Sequence, residues 1–191
     1  MMVRCFLAIE LPEPTLNELQ ELRSRIVLPQ FDVRWVKLEN IHLTVRFFGE
    51  IPFEDIKRLS EAIRLGAHKI LPFKIVIKGV GAFPNIGNPR VIWTGIEDPA
   101  PIVRLEQYIS KELDQISWPP PDKPFRPHMT LGRVRSDRGR RELRECVERN
   151  KDTTVGEFQA NHISLIRSDL HRVGPLYTVL DRFCFSQSPT T

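Results

Sequence analysis

Cysteine is scarce in this 191-residue chain, with three residues, Cys5, Cys146 and Cys184, odd in number and far apart. That pattern excludes a disulfide framework and a cysteine-rich zinc site, and it fits a reducing interior. No apolar run approaches the ~18 residues of a membrane span. The apolar stretch in residues 1–10 is too short, and too soon broken by Glu10, for a signal peptide. A cytoplasmic protein with no membrane partner is therefore expected. Neither sign of charge dominates: 28 Lys plus Arg against 24 Asp plus Glu leave a net charge of +4. That balance accommodates an anionic partner without demanding one. A glycine-rich phosphate loop is missing too, since Gly79-Val80-Gly81 fits a strand end before a turn. So is the Asp/Glu cluster of a two-metal nuclease.

What is present is an ordinary globular composition, 41% apolar and 27% charged, in a length that suits one compact domain or two small lobes. Residues 3–11 form a β-rich opening run. Leu16, Leu19, Leu22 and Ile26 recur at helical spacing, with Pro14 suited to a first helical turn. Residues 33–37 and 41–48 read as strands, and Ile56, Leu59, Ile63 and Ala67 mark a second helix. Strands follow at 73–80 and 90–96, joined by Pro84-Asn85-Ile86-Gly87-Asn88-Pro89, which is dense in turn residues. Leu105, Ile109, Leu113 and Ile116 mark a third helix, followed by a proline-rich loop that reads as a stiff connector. Residues 128–134 form a strand, 138–149 a polar helix, and 161–166 and 176–185 the closing strands, with a frayed tail at 186–191. Short strands interleaved with about four helices give an α+β fold: antiparallel sheets, each covered on one side by helices.

One tetrapeptide occurs in each half of the chain. In Ile41-His42-Leu43-Thr44-Val45-Arg46-Phe47-Phe48-Gly49, strict alternation puts Ile41, Leu43, Val45 and Phe47 on one face and His42, Thr44, Arg46 and Phe48 on the other. In Pro127-His128-Met129-Thr130-Leu131-Gly132-Arg133-Val134, His128 and Thr130 share a face opposite Met129 and Leu131. Residues two apart on a strand lie about 6–7 Å apart and project together. A His and a Thr so placed can share one phosphate, the hydroxyl donating to a non-bridging oxygen while the imidazole handles a proton. Two such strands across a groove supply two imidazoles, one to take a proton from water and one to give a proton to a leaving alkoxide. A lone His-x-Thr is common and uninformative. Two, each opening a strand and flanked by apolar residues, point to a paired-histidine site for phosphodiester chemistry.

The two segments His42–Gly49 and Phe125–Arg133 resemble the signature motifs of the two-histidine phosphoesterases, and within them the RNA 2′,3′-cyclic phosphodiesterases, also called 2′-5′ RNA ligases. The resemblance runs from about residue 2 to 186. It includes the opening Arg4-Cys5-Phe6-Leu7-Ala8-Ile9-Glu10-Leu11-Pro12, the lead-in Val33-Arg34-Trp35-Val36, a middle hairpin around Gly81-Ala82-Phe83-Pro84 and Pro89-Arg90-Val91-Ile92-Trp93, and a C-terminal strand pair from Ser168 to Tyr177. Val45 and Phe48 stand where leucines are frequent in the family. The resemblance implies a single bilobal domain over 1–191, with two pseudo-symmetric lobes, two antiparallel sheets facing a central cleft and helices on the outer sides. It implies metal-independent hydrolysis of RNA 2′,3′-cyclic phosphate ends to a 2′-phosphate, without a cofactor. His42 would be the proton donor and His128 the proton acceptor. Thr44 and Thr130 would hold phosphate oxygens, and Arg133 would neutralise phosphate charge. Partners would be RNA ends, from transfer RNA fragments to small cyclic nucleotides, bound by a monomer.

Arg133 lies five residues after His128, so alternation puts it on the far face. It reaches the site only through a twist or bulge near Gly132, and is otherwise a solvated arginine. Arg46, on the His42 face by parity, is the alternative phosphate contact. Phe48 shares that parity and either stacks on a nucleobase or fills the core, and Trp35 reads as core. His68, His162 and His171 lack metal spacing and read as structural or solvated. Residues 133–149, with seven arginines against four acids, form either an RNA-attracting rim or a solvated helix. The lobes are expected to divide near residues 90–100. Besides the hydrolase, two other functions fit: a ligase joining a cyclic-phosphate end to a 5′-hydroxyl at the same site, and a non-catalytic module that binds RNA ends.

Overall fold

Cys5, Leu7 and Ile9 share one face of the first strand and are almost wholly buried, and the same period-two burial of Ile41, Leu43 and Val45 makes that strand's partner. The computed structural model describes residues 1–172 and 174–187. In it these segments are β1 (Met2–Glu10) and β3 (His42–Pro52), which join β8 (His162–His171) and β9 (Gly174–Cys184) in a four-stranded sheet of order β3-β1-β8-β9. The second sheet has five strands in the order β2-β6-β5-β4-β7: β2 (Val33–Trp35), β6 (Met129–Val134), β5 (Val91–Ile96), β4 (Phe73–Phe83) and β7 (Thr154–Ala160). Every pairing is antiparallel.

Among the described residues four α-helices cover the sheets. Helix α1 (Glu13–Ile26) starts with proline in its first turn and buries Leu19, Leu22 and Ile26, the i, i+3, i+7 stripe of a surface helix. With α4 (Arg140–Arg149) it packs on the five-stranded sheet. Helices α2 (Asp55–Ala67) and α3 (Ala100–Gln115) pack on the four-stranded sheet and on each other. Gly66 lets α2 approach α3, since a Cβ there would lie 2.7 Å from the Ile109 Cα. One continuous apolar core runs between sheets and helices through both halves. No helix among the described residues is long and apolar enough to cross a membrane.

Two features differ from the sequence reading. Strand β7 has no counterpart in it. Among the described residues it pairs only with β4, as an edge strand, and it buries only Phe158 and Ala160 among exposed Thr154, Glu157 and Gln159. So short an apolar alternation carries little signal. Nor does the chain divide near residues 90–100. β1 and β3 share a sheet with β8 and β9, so each sheet draws strands from both halves of the sequence. Of the expected tail, Ser186 is anchored by its N–H to the Ile70 carbonyl, 2.9 Å, and residues 188–191 lie outside the described residues.

Candidate active site

The two histidines are held in the same way. His42, at the start of β3, has Nδ1 2.9 Å from the carbonyl oxygen of Asn40, two residues back. His128, just before β6, has Nδ1 2.6 Å from the carbonyl oxygen of Arg126, also two residues back. A carbonyl only accepts, so Nδ1 carries the hydrogen and Nε2 is the nitrogen available to a ligand. Aromatic rings set each imidazole plane. Phe6 stacks on His42 at 4.7 Å and 25°, and Tyr177 meets it edge-on at 5.3 Å. Phe83 meets His128 edge-on at 4.9 Å. Burial lowers the His42 pKa to about 4, against weaker opposing effects from the Asn40 carbonyl and from Glu10. In the free protein near neutral pH, His42 is therefore uncharged.

Both motif strands leave strict alternation at the same place. Across β1–β3, Ala8 pairs with Thr44 and Leu7 with Arg46, so Val45 is bulged out of register. Across β5–β6, Trp93 pairs with Thr130 and Ile92 with Gly132, so Leu131 is bulged out. Each bulge falls three residues after its histidine. Its effect is to turn the fifth residue after each histidine, Phe47 in β3 and Arg133 in β6, onto the face of His and Thr. A further irregularity at Phe48 is accommodated by Gly49, whose φ of +72° favours glycine.

The bulges correct two expectations and place a third residue. Arg46 does not face the cleft. It is 4% exposed and points to the helix side. There its guanidinium donates to Ser110 Oγ and to the Pro119 carbonyl, each 2.7 Å, with Glu106 at 3.9 Å. It ties the first motif strand to α3 and to the loop that leads into the second motif. Phe48 turns the same way and packs edge-on against Trp118. The residue that takes the place expected for Phe48 is Phe47, 64% exposed on the cleft side with its ring 5.6 Å from Phe6. Arg133 lines the cleft, and glycine at 132 keeps room for β2, whose Val33 and Trp35 side chains would meet a Cβ there at 2.6–2.8 Å.

A cleft of about 590 Å³ lies between the sheets and takes in His42, Thr44, His128, Thr130 and Arg133. Arg4, Arg34 and Lys37 also line it, and among the described residues no Asp or Glu does. His171, expected to be structural or solvated, lines it as well, as does Tyr177. Burial raises the Tyr177 pKa, and the charges of Arg133 on one sheet and Arg4 on the other oppose that rise. The aromatic collar of Phe6, Tyr177 and Phe83 escaped the sequence reading because its members are distant in sequence from either motif. Only the parity of Phe6, on the face of β1 opposite Cys5 and Leu7, hinted at it. The arginines of α4 do not line the cleft: that helix buries Leu143, Cys146 and Val147 against the five-stranded sheet and α1.

Comparison with known proteins gives a consistent picture. Residues 11–172 match the model of the 2′-5′ RNA ligase superfamily. The chain is 32% identical over 183 residues to an RNA 2′,3′-cyclic phosphodiesterase of Methanothermobacter thermautotrophicus, covering 96% of this chain and 99% of the relative. It is 35% identical over 181 residues to a protein of the same name from Methanocaldococcus jannaschii, covering 93% and 98%. Among solved structures it resembles TT0787 of Thermus thermophilus, with a TM-score of 0.79 at 31% identity over 95% of this chain and 97% of that one. The fold is also that of E. coli LigT complexed with 3′-AMP, with a TM-score of 0.77 at 24% identity over 98% and 100%.

Proposed function

The chain belongs to the 2′-5′ RNA ligase superfamily, and on that premise we propose that it hydrolyses 2′,3′-cyclic phosphate ends of RNA to 2′-phosphates, with His42 and His128 as the acid–base pair. The observation that carries this reading is the matched presentation of two His-x-Thr units to one cation-lined cleft, each imidazole offering Nε2. The cyclic phosphate sits between them, with Thr44 and Thr130 hydroxyls donating to its non-bridging oxygens and Arg133 facing its charge. His128 takes a proton from water as the water oxygen bonds to phosphorus. The P–O3′ bond breaks and His42 delivers its proton to the departing 3′-oxygen. Phe47 offers its exposed ring as a stacking platform for the terminal base.

The low pKa of His42 bears on its role. A neutral His42 cannot act as an acid, so it must take up a proton from solvent as the substrate binds. A phosphodiester anion placed beside the ring favours the imidazolium and offsets the burial that disfavours it. Both histidines come from one chain, so a monomer suffices. Transfer RNA fragments and small cyclic nucleotides both end in the required group.

The test is incubation of an oligonucleotide ending in a 2′,3′-cyclic phosphate, in EDTA, with 2′- and 3′-phosphate products resolved. A 2′-phosphate is expected. His42→Ala and His128→Ala should each lower kcat by about 10²–10⁴ while circular dichroism stays that of the folded protein. Full activity in either variant overturns the reading. A substrate with sulfur in place of the 3′-oxygen needs less protonation on leaving, so it should restore His42→Ala more than His128→Ala. The opposite order would exchange the two roles.

A further inference from the structure

The cleft carries more positive charge than one cyclic phosphate requires. That group bears a single negative charge, and the two threonines, the two imidazoles and Arg133 already surround it. Arg34 is left over. It lies directly opposite Arg133 across the β2–β6 ladder, so the two side chains rise from the same face of the sheet. Both are exposed, and among the described residues neither forms an ion pair or a side-chain hydrogen bond. Like charges directly opposed on a sheet are destabilising, so the fold gains nothing by placing them there. Lys37 follows Arg34 past the end of β2, where its Nζ lies 3.8 Å from Glu39 in a solvent-exposed pair, and both cations line the same cleft, whose lining among the described residues holds no carboxylate.

Position separates the roles of the two arginines. Arg133 is on the strand that carries Thr130. Arg34 is one strand further out, on β2, which is the edge of the five-stranded sheet. A chain leaving the cyclic phosphate over that edge passes Arg34 and Lys37 next. We propose that Arg34, with Lys37 beside it, forms a second phosphate subsite that holds the phosphodiester linking the terminal nucleotide to its neighbour, so that the preferred substrate is an RNA chain rather than a cyclic mononucleotide. This rests on the hydrolase reading of the site and adds the substrate's length and its direction of exit. Arg34 is then a specificity-determining residue: a bidentate guanidinium suits a phosphate oxygen pair, and the edge of the sheet leaves it accessible.

The experiment compares kcat/KM for a 2′,3′-cyclic mononucleotide with that for a tetranucleotide ending in a 2′,3′-cyclic phosphate, for the wild-type protein, Arg34→Ala and the double variant Arg34→Ala/Lys37→Ala. The wild type should prefer the tetranucleotide by at least about tenfold. The ratio of the two kcat/KM values should fall about tenfold or more in Arg34→Ala and further in the double variant. The salt dependence of tetranucleotide binding should lose about one unit of log–log slope for each cation removed. An unchanged ratio in both variants, or a wild type with no preference for the longer substrate, overturns the subsite. A wild type that opens neither substrate overturns the hydrolase reading itself, so the two failures are separable.

Discussion

His42 sits in an apolar collar of Phe6 and Tyr177, and that collar makes its protonation costly. In an unfolded chain the imidazole titrates at ~6.5, whereas burial in the fold lowers its pKa to about 4. The unfolded state therefore binds the proton first as pH falls. Stability contributed by the neutral ring is fully present above pH ~6.5 and is lost progressively down to about pH 4, on the order of 3 kcal/mol in all. Urea midpoints at pH 7 and pH 4.5 should show this fall, and His42→Phe should flatten it over the same window. An unaltered pH dependence in that variant would show that the collar does not disfavour the charge. Arg46 illustrates the opposite solution at the same scale. It is a buried cation kept charged by Ser110 Oγ, the Pro119 carbonyl and Glu106, so it serves the position of the motif strand and not the phosphate.

The motif strands owe their usefulness to a shared irregularity. A perfectly alternating β3 would send Arg46 and Phe48 into the cleft and Phe47 into the core. A perfectly alternating β6 would send Arg133 away from Thr130. The bulges at Val45 and Leu131 reverse both outcomes. Gly132 lets β2 lie close beside the second bulge. In Gly132→Ala the new Cβ would meet Val33 Cγ1 at 2.6 Å and Trp35 Cε3 at 2.8 Å, so β2 must shift. We expect a destabilisation of about 1–3 kcal/mol, read from urea unfolding, together with a fall in kcat/KM as Arg133 is displaced. Wild-type stability and activity would show that β2 yields without moving Arg133. The alternation of His42 with Leu43 and Thr44, and of His128 with Met129 and Thr130, is legible in sequence because hydrophobic burial imposes it locally. The bulges are not, because they are settled by hydrogen bonds between β3 and β1 and between β6 and β5, and by whether Arg46 finds acceptors on α3 and beyond it.

At the scale of the whole molecule, the chain crosses between the sheets instead of completing one and then the other. β1 and β3 need β8 and β9 to finish their sheet, and β7 closes a sheet begun by β2. A fragment of residues 1–98 should therefore fail to fold alone, giving no cooperative thermal transition by circular dichroism, while mixing it with residues 99–191 should restore one. A fragment that melts cooperatively by itself would indicate an independent half. Strand periodicity and side-chain chemistry act over a few residues, so the α+β class, the two His-x-Thr strands and the phosphodiester chemistry they can support are legible along the chain. Packing alone settles which strands share a sheet, that Phe47 rather than Phe48 looks into the cleft, that Arg46 leaves it and that Arg34 stands opposite Arg133. Those outcomes depend on register between segments far apart in the chain, where a one-residue shift turns a side chain to the other face and no local pattern records which shift the packed core allows.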